Sequence, residues 1–303
     1  MRKRNEEVCM NICISANDRY IYPAKVMLTS FLVNNRQASH NIYFLYKEVQ
    51  AQNLRELETL VRQYDSQFIP TKICAEDFAG MVVTDRFPVE IYFRLLIPQL
   101  MPETETRALW MDVDLIVNGA IDDFYYQDFE DKVFVAYQDA SASRAVEQHA
   151  ARMRVMGFPP YGPYINSGVV LFNLEQMRRY SIEDYMAYYN AHKEGIGYPD
   201  QDILNGVFVG KIKLGDDPRY NVQVWFDHPL VGEERTRFLK EVRVVHFVGG
   251  CKPWHNKFES PTGELWDIYH QMAFKESRFY LQKKRILRRL VVMLRRVYRK
   301  IKG

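Results

Sequence analysis

Cysteine is scarce in this chain, with four in 303 residues, and none of Cys9, Cys13, Cys74 and Cys251 stands in a CxxC pair. That excludes a disulfide framework or a zinc ribbon and suits thiols kept reduced. Long apolar runs are also missing. The N-terminus MRKRNEEVCMNICISAND offers no stretch for a secretory signal, and the apolar run Leu290–Leu294 falls far short of the ~20 residues of a membrane span. A cytoplasmic protein is expected. Glycine-rich loops are absent too. No GxGxxG opens the first predicted helix, which argues against a dinucleotide-binding enzyme, and neither GxSxG nor HExxH occurs. Gly206 and Gly210-Lys211 mimic a phosphate loop, but only three residues separate the glycines and Ile212 follows the lysine.

The last absence is of acidic residues beyond position 276. From Ser277 to Gly303 the chain has 11 of its 41 basic residues and none of its 38 acidic ones, so residues 1–276 carry a net −8 although the whole chain sums to +3. An acidic body with a basic tail must be read as two parts, 1–276 and 277–303, and the body excludes a dedicated nucleic-acid binder.

Within the body, β-prone apolar runs alternate with longer amphipathic ones. Val8–Ser15 precedes Ala24–Asn34, Asn41–Tyr46 precedes Asn53–Tyr64, and Phe68–Ile73 precedes Glu90–Gln99. This alternation predicts an α/β domain with a mostly parallel sheet covered by helices. A short strand, Arg107–Trp110, then runs into Met111-Asp112-Val113-Asp114, with Leu115–Val117 and an Asn118-Gly119 turn behind it. Later segments are less regular: a Pro/Gly/Tyr-rich loop at Gly157–Tyr164, an apolar run Gly168–Leu174, and helices near Glu175–His192 and Asp200–Val209. One compact domain without repeats is expected. Cys9 and Cys13 are expected on one face of the first strand.

Three groups of polar residues stand out. Asp112 and Asp114 form a DxD motif at the end of a buried strand, where two carboxylates repel and lose hydration unless a cation holds them. Oxygen ligands of this kind select Mg²⁺, Mn²⁺ or Ca²⁺, whereas a solvated acidic loop is the alternative reading. His246 closes the run Val244–Phe247 and is followed by Gly249, Gly250 and Lys252-Pro253, a sequence fit to wrap an anion beside a metal or merely to turn after a buried histidine. The third group is Tyr198-Pro199-Asp200-Gln201-Asp202-Ile203-Leu204-Asn205, in which Asp200 can cap the helix that follows, although capping does not explain why Asp200, Gln201 and Asp202 cluster where a pocket would be.

Taken in order, Ser15-Ala16-Asn17-Asp18-x-Tyr20, Tyr92-Phe93-Arg94-Leu95, Asp112-Val113-Asp114, Asn166-Ser167-Gly168, Asp200 to Asn205, and His246-Phe247-x-Gly249-x-x-Lys252-Pro253-Trp254 resemble family 8 of the glycosyltransferases, which includes bacterial lipopolysaccharide galactosyl- and glucosyltransferases. The resemblance spans about residues 10–256. It implies a GT-A fold and a retaining hexosyltransferase that uses a UDP-sugar and Mn²⁺, with Mg²⁺ as the alternative ion. By the same resemblance, Asp112, Asp114 and His246 are the metal ligands. Ser15, Ala16 and Asn17 lie toward uridine, and Gly249 and Lys252 toward the diphosphate. Arg94, Asn166, Asp200 and Gln201 surround the donor sugar, with Gln201 and Asp200 as the catalytic pair. The family more often has Asp where Asn17 stands. A glycan or lipid-linked acceptor follows, and Ala140–Tyr164, with Arg144, His149, Arg152 and Arg154, is the candidate acceptor lid. Other readings are a glycogenin-like self-glucosylating protein, since 20 tyrosines are available, and a non-catalytic sugar-nucleotide or membrane binder of the same fold.

The tail has its own pattern. Wound as a helix, Lys283–Lys302 gathers Ile286, Leu290, Met293, Leu294, Val297 and Tyr298 on one arc and Arg288, Arg289, Arg295, Arg296 and Arg299 on another. Such a helix fits an anionic membrane surface, at about 1 kcal/mol per basic residue, and would hold the enzyme at the inner face of the plasma membrane. Packing on the acidic body is the alternative. Nothing in the tail supplies the interleaved aromatic platform of an RNA binder.

Overall fold

The computed structural model describes residues 9–141, 146–159, 163–225, 232–255, 258, 260 and 262–277, and beyond these only positions 279, 283, 286, 290, 293, 294 and 298. Arg144 of the candidate lid and most of the tail lie outside the described residues. Ten strands are described: β1 Asn11–Ser15, β2 Asn41–Tyr46, β3 Gln67–Lys72, β4 Arg107–Met111, β5 Leu115–Val117, β6 Phe134–Gln138, β7 Ile165–Asn173, β8 Ile212–Leu214, β9 Val222–Val224 and β10 Val244–Phe247. The longer helices are α1 Ile21–Asn34, α2 Ala51–Arg62, α3 Val146–Val155, α4 Ile182–His192, α5 Pro199–Val207, α6 Gly232–Glu241 and α7 Gly263–Phe274. Among the described residues, no helix is long and apolar enough to cross a membrane.

Seven strands form one sheet in the order β3-β2-β1-β4-β7-β6-β8. The β1–β4 neighbours and the β3-β2-β1 run are parallel, as the alternating pattern predicts, but β7 is antiparallel to both β4 and β6. Side chains alternate across the sheet into two cores. Ile12, Leu109, Met111 and Leu171 face α1, while Cys13, Trp110, Val170 and Phe172 pack with Tyr92, Tyr185 and Ile203 on the other side. Cys9 precedes the strand and is exposed, so it does not share the buried face of Cys13.

A second, three-stranded sheet, β5-β10-β9, is not visible in the alternation of the sequence. It carries a third core, in which Ile116, Val245 and Phe247 meet Leu265 and Trp266 of α7.

Two predicted helices take other forms. Val89–Leu96 is a 3₁₀ helix followed by a single α-turn at Ile97–Leu100, because Pro98 has no N–H to continue an α ladder back to Arg94. The segment Glu175–His192 is broken. A one-turn helix at Leu174–Met177 ends, and α4 starts afresh from a capping box in which Ser181 N–H donates to Asp184 Oδ2 at 2.8 Å.

Candidate functional site

The Asp112-Val113-Asp114 segment crosses from one sheet to the other. Asp112 follows β4 and Asp114 precedes β5, while His246 on β10 lies opposite Leu115. One ligand atom from each of Asp112, Asp114 and His246 falls within 4.8 Å of the others. His246 Nε2 is 3.3 Å from Asp114 Oδ1 and 4.0 Å from Asp112 Oδ2. Asp114 Oδ1 is buried without a hydrogen-bond partner, an arrangement that a cation would relieve. These three groups fit a hard divalent ion, with two carboxylates and an imidazole converging and an orphaned oxygen between them. On its other side, His246 Nδ1 lies 3.0 Å from Asn221 Oδ1, an acceptor, which makes Nε2 the ring atom that faces the two carboxylates.

Gly168 explains the Asn166-Ser167-Gly168 motif of the sequence. A Cβ there would sit 2.2 Å from His246 Cε1 and 3.0 Å from Asp112 Oδ2, so any side chain would displace the triad. The strand passes this close because Asp112 N–H donates to Gly168 O at 2.8 Å, extending the β4–β7 pairing.

Around the triad the charges are interlocked. Arg94, buried above the Trp110 ring at 4.5 Å, reaches Asp112 Oδ1 at 2.9 Å and Asp200 Oδ2 at 3.1 Å. Trp110 Nε1 also donates to Asp112 Oδ1 at 2.9 Å, so that oxygen is fixed and Oδ2 remains for a ligand. Lys252 Nζ lies 2.5 Å from Asp114 Oδ2 and donates to Phe247 O at 2.7 Å. Burial works against ionisation of Asp114, but the Lys252 ammonium beside it outweighs burial and holds the carboxyl below the usual range. For Asp200 the balance is reversed: burial pushes its carboxyl up despite Arg94.

Helix α5 brings the third group to the same place, though not as a capped helix. Pro199 opens α5 and no side chain caps it, while the Asp200 carboxylate accepts from Ser167 Oγ at 2.8 Å. Capping is therefore not the role of Asp200. Its proximity to Arg94 and Ser167 leaves the backbone of the turn to Asp202, which accepts from Gly197 N at 2.8 Å and Tyr198 N at 2.9 Å. Asp202 is fully buried and also bonded by Tyr164 Oη and Arg152 Nη1. Arg152, read from the sequence as part of an acceptor lid, is thus turned inward. His149 packs against Tyr164 at 5.2 Å, and Arg154 is exposed. Asn205 joins α5 to β7 through paired bonds with Ile165, 2.7 Å to its N–H and 3.0 Å to its oxygen.

Gln201 is held rigidly. Its Oε1 accepts from Ser167 N at 3.1 Å and Asn166 Nδ2 at 3.3 Å, and its Nε2 donates to Asp139 Oδ2 at 3.0 Å. Ser15, Ala16, Asn17, Arg94, Asp112, Asp114, Asn166, Asp200, Gln201, His246, Gly249 and Lys252 all line one cavity of about 660 Å³. The structure thus brings together on one cavity the twelve residues expected at the donor and metal site, while the lid residues His149, Arg152 and Arg154 do not line it. Sequence reasoning missed Asp139, Asn221 and Trp225. Asp139 follows β6 at a strand's carboxyl end, a position that favours ligand contact in such sheets. Asn221 has a left-handed backbone, φ 49°, which no motif announces.

The crystal structure of the galactosyltransferase LgtC in complex with donor and acceptor sugar analogues is similar at a TM-score of 0.74, covering 90% of this chain and 100% of that one at 23% identity. The fold is GT-A, with the Asp112-Val113-Asp114 segment and its cavity at the ends of its strands. More narrowly, the model of Glycosyl transferase family 8 matches residues 11–257, and the chain belongs to that family. Retention of anomeric configuration is consistent with membership. Among its relatives, a lipopolysaccharide 1,2-glucosyltransferase of Escherichia coli is 26% identical over 264 residues, 84% of this chain and 76% of that protein. General stress protein A of Bacillus subtilis is 25% identical over 284 residues, 89% and 95% of the two chains.

Proposed function

We propose that this protein is a metal-dependent retaining hexosyltransferase that moves glucose or galactose from a UDP-sugar to lipopolysaccharide or another lipid-linked or cell-surface glycan. The observation that carries the reading is the convergence of Asp112, Asp114, His246 and Lys252 on one cavity with Arg94, Asp200 and Gln201. Nucleoside diphosphate departure gathers negative charge, and a bound Mn²⁺ or Mg²⁺ would neutralise it, a contribution of several kcal/mol. Lys252 adds a second positive charge, and Gly249, with φ +83°, lets the backbone approach the phosphates. Asn17 faces the base end. Its Oδ1 accepts from Arg19 N at 3.1 Å, so its amide nitrogen is the group left for a base carbonyl.

Retention is assigned to front-face substitution. Gln201 is an amide fixed on both sides and a poor nucleophile, so it and Asp200 support an oxocarbenium-like state while the leaving phosphate takes the acceptor's proton. Mass spectrometry of the wild-type enzyme with donor alone is expected to show an unmodified chain. A stable glycosyl adduct would sink this mechanism.

The tail supports a peripheral membrane role, with 1–276 as the catalytic unit and 277–303 as the membrane-associating segment. Its described positions from 279 onward are helical, and Phe279, Ile286, Leu290, Met293 and Leu294 are exposed apolar groups that a bilayer would cover. The function is tested by incubating the enzyme with a panel of UDP-sugars, with and without Mn²⁺, and following hydrolysis and transfer. Turnover of one UDP-hexose that disappears with EDTA is the expected result, and indifference to every nucleotide sugar would refute the proposal.

A further inference from the structure

Between the His246 ring and the Asp139 carboxylate runs an unbroken series of side-chain hydrogen bonds with a single direction. His246 Nδ1 lies 3.0 Å from Asn221 Oδ1, and Asn221 Nδ2 donates to Asn166 Oδ1 at 3.1 Å. Asn166 Nδ2 donates to Gln201 Oε1 and to Asp139 Oδ2, both at 3.3 Å, and Gln201 Nε2 completes the series to Asp139 Oδ2 at 3.0 Å. Three members are primary amides, in which oxygen only accepts and nitrogen only donates. Turning one of them over would set two donors or two acceptors against each other, so all three turn together or none does.

The ends decide the sense. Asp139 is an acceptor only, already receiving Ser141 N–H on Oδ1 at 2.8 Å together with the Ser141 hydroxyl, and it is almost fully buried. Every donor in the series therefore points toward it. Asn166 must then offer its oxygen to Asn221, and Asn221 must offer its own oxygen to His246. Two backbone N–H groups of β7, Gly168 to Asn166 Oδ1 and Ser167 to Gln201 Oε1, each at 3.1 Å, favour the same sense.

We propose that Asp139 and Asn221 are positioning residues that fix the tautomer of His246, holding the proton on Nδ1 so that Nε2 keeps its lone pair for a divalent cation. The inference rests on the reading of Asp112, Asp114 and His246 as a metal site and deepens it. A carboxylate on the sugar side of the cavity thereby sets the ligand quality of an imidazole on the metal side, through Gln201 and two asparagines. Asn221 suits the task because its left-handed backbone turns the amide inward from the start of β9.

The test reads the tautomer directly. Long-range ¹H–¹⁵N spectra of the labelled, metal-free full chain distinguish Nδ1–H from Nε2–H in the His246 ring, assigned with His246→Gln, and calorimetry with Mn²⁺ alone gives the affinity. The wild type is expected to hold Nδ1–H. Asp139→Asn and Asn221→Gly, the latter compatible with a positive φ, are expected to populate Nε2–H and to weaken Mn²⁺ binding about 10- to 100-fold, the range for lost support of a ligating histidine. Thermal melts identify variants that remain folded. If both folded variants keep the wild-type tautomer and affinity, the proposal is overturned. A tautomer that changes in Asn221→Gly but not in Asp139→Asn overturns the part assigned to Asp139 and gives the β7 backbone that role. Should the wild type bind no divalent cation while its tautomer still changes in both variants, the relay stands and the metal reading fails.

Discussion

Asp114→Ala is expected to lower kcat/KM for glycosyl transfer by about 10³-fold, since several kcal/mol of leaving-group stabilisation at ~1.4 kcal/mol per decade depends on the ion it would hold. This position gives a cleaner test than Asp112. Asp112 also anchors Arg94 and Trp110, so its loss would disturb the floor of the cavity along with the ligand set. Asp114, by contrast, has its partners in Lys252 and His246. Its replacement leaves the Lys252 ammonium without its carboxylate partner, a loss for phosphate geometry as well as for metal affinity. Steady-state kinetics with saturating Mn²⁺, paired with electron paramagnetic resonance of bound Mn²⁺, checks the prediction. A variant that binds Mn²⁺ normally and loses less than tenfold would remove Asp114 from the proposed ligand set.

Ending the chain at Glu276 is expected to abolish co-sedimentation with vesicles rich in anionic lipid while leaving UDP-sugar hydrolysis in solution. Eleven basic residues go with the tail. If only half engage the surface at ~1 kcal/mol each, partitioning weakens by more than three orders of magnitude. The cut falls at a natural stop. Lys275 adopts a left-handed conformation, φ 52°, that terminates α7, and Glu276 N–H returns to Gln271 O at 3.2 Å. Sedimentation of both chains with neutral and anionic vesicles at two salt concentrations provides the check. Equal binding of the truncated and full chains would exclude the tail as the anchor, and binding of the full chain to neutral vesicles alone would exclude the electrostatic part of the argument.

Much of the fold was legible because strand and helix periods alternate cleanly through the first hundred residues. Where the reading failed, local pattern yielded to a specific competitor. Pro98 interrupts a helix that its neighbours favour, and Ser181 restarts one that the apolar pattern ran straight through. The direction of β7 has no signature in an apolar run, since an antiparallel central strand and a parallel one are equally buried. For the site, the motifs located the groups that point into the cavity. They could not reveal those that hold them. Asp202 is the clearest case: beside Asp200 and Gln201 it reads as a third polar group of a pocket, yet its carboxylate faces inward to Arg152 and Tyr164. Asp139 and Asn221 belong to no motif, because hydrogen-bonding a neighbour across 62 or 25 positions depends on the folded path alone.

The two sheets meet at the DxD segment, with Asp112 at the margin of the larger and Asp114 and His246 attached to the smaller. An ion gripped by all three would act as a rivet between them. Binding to the folded chain alone stabilises it, by about 2.7 kcal/mol at a free ion concentration a hundred times Kd. Starved of its cation, the enzyme would then lose durability as well as speed, with local opening between the sheets exposing the chain to proteases, so that metal supply would govern how long each molecule survives.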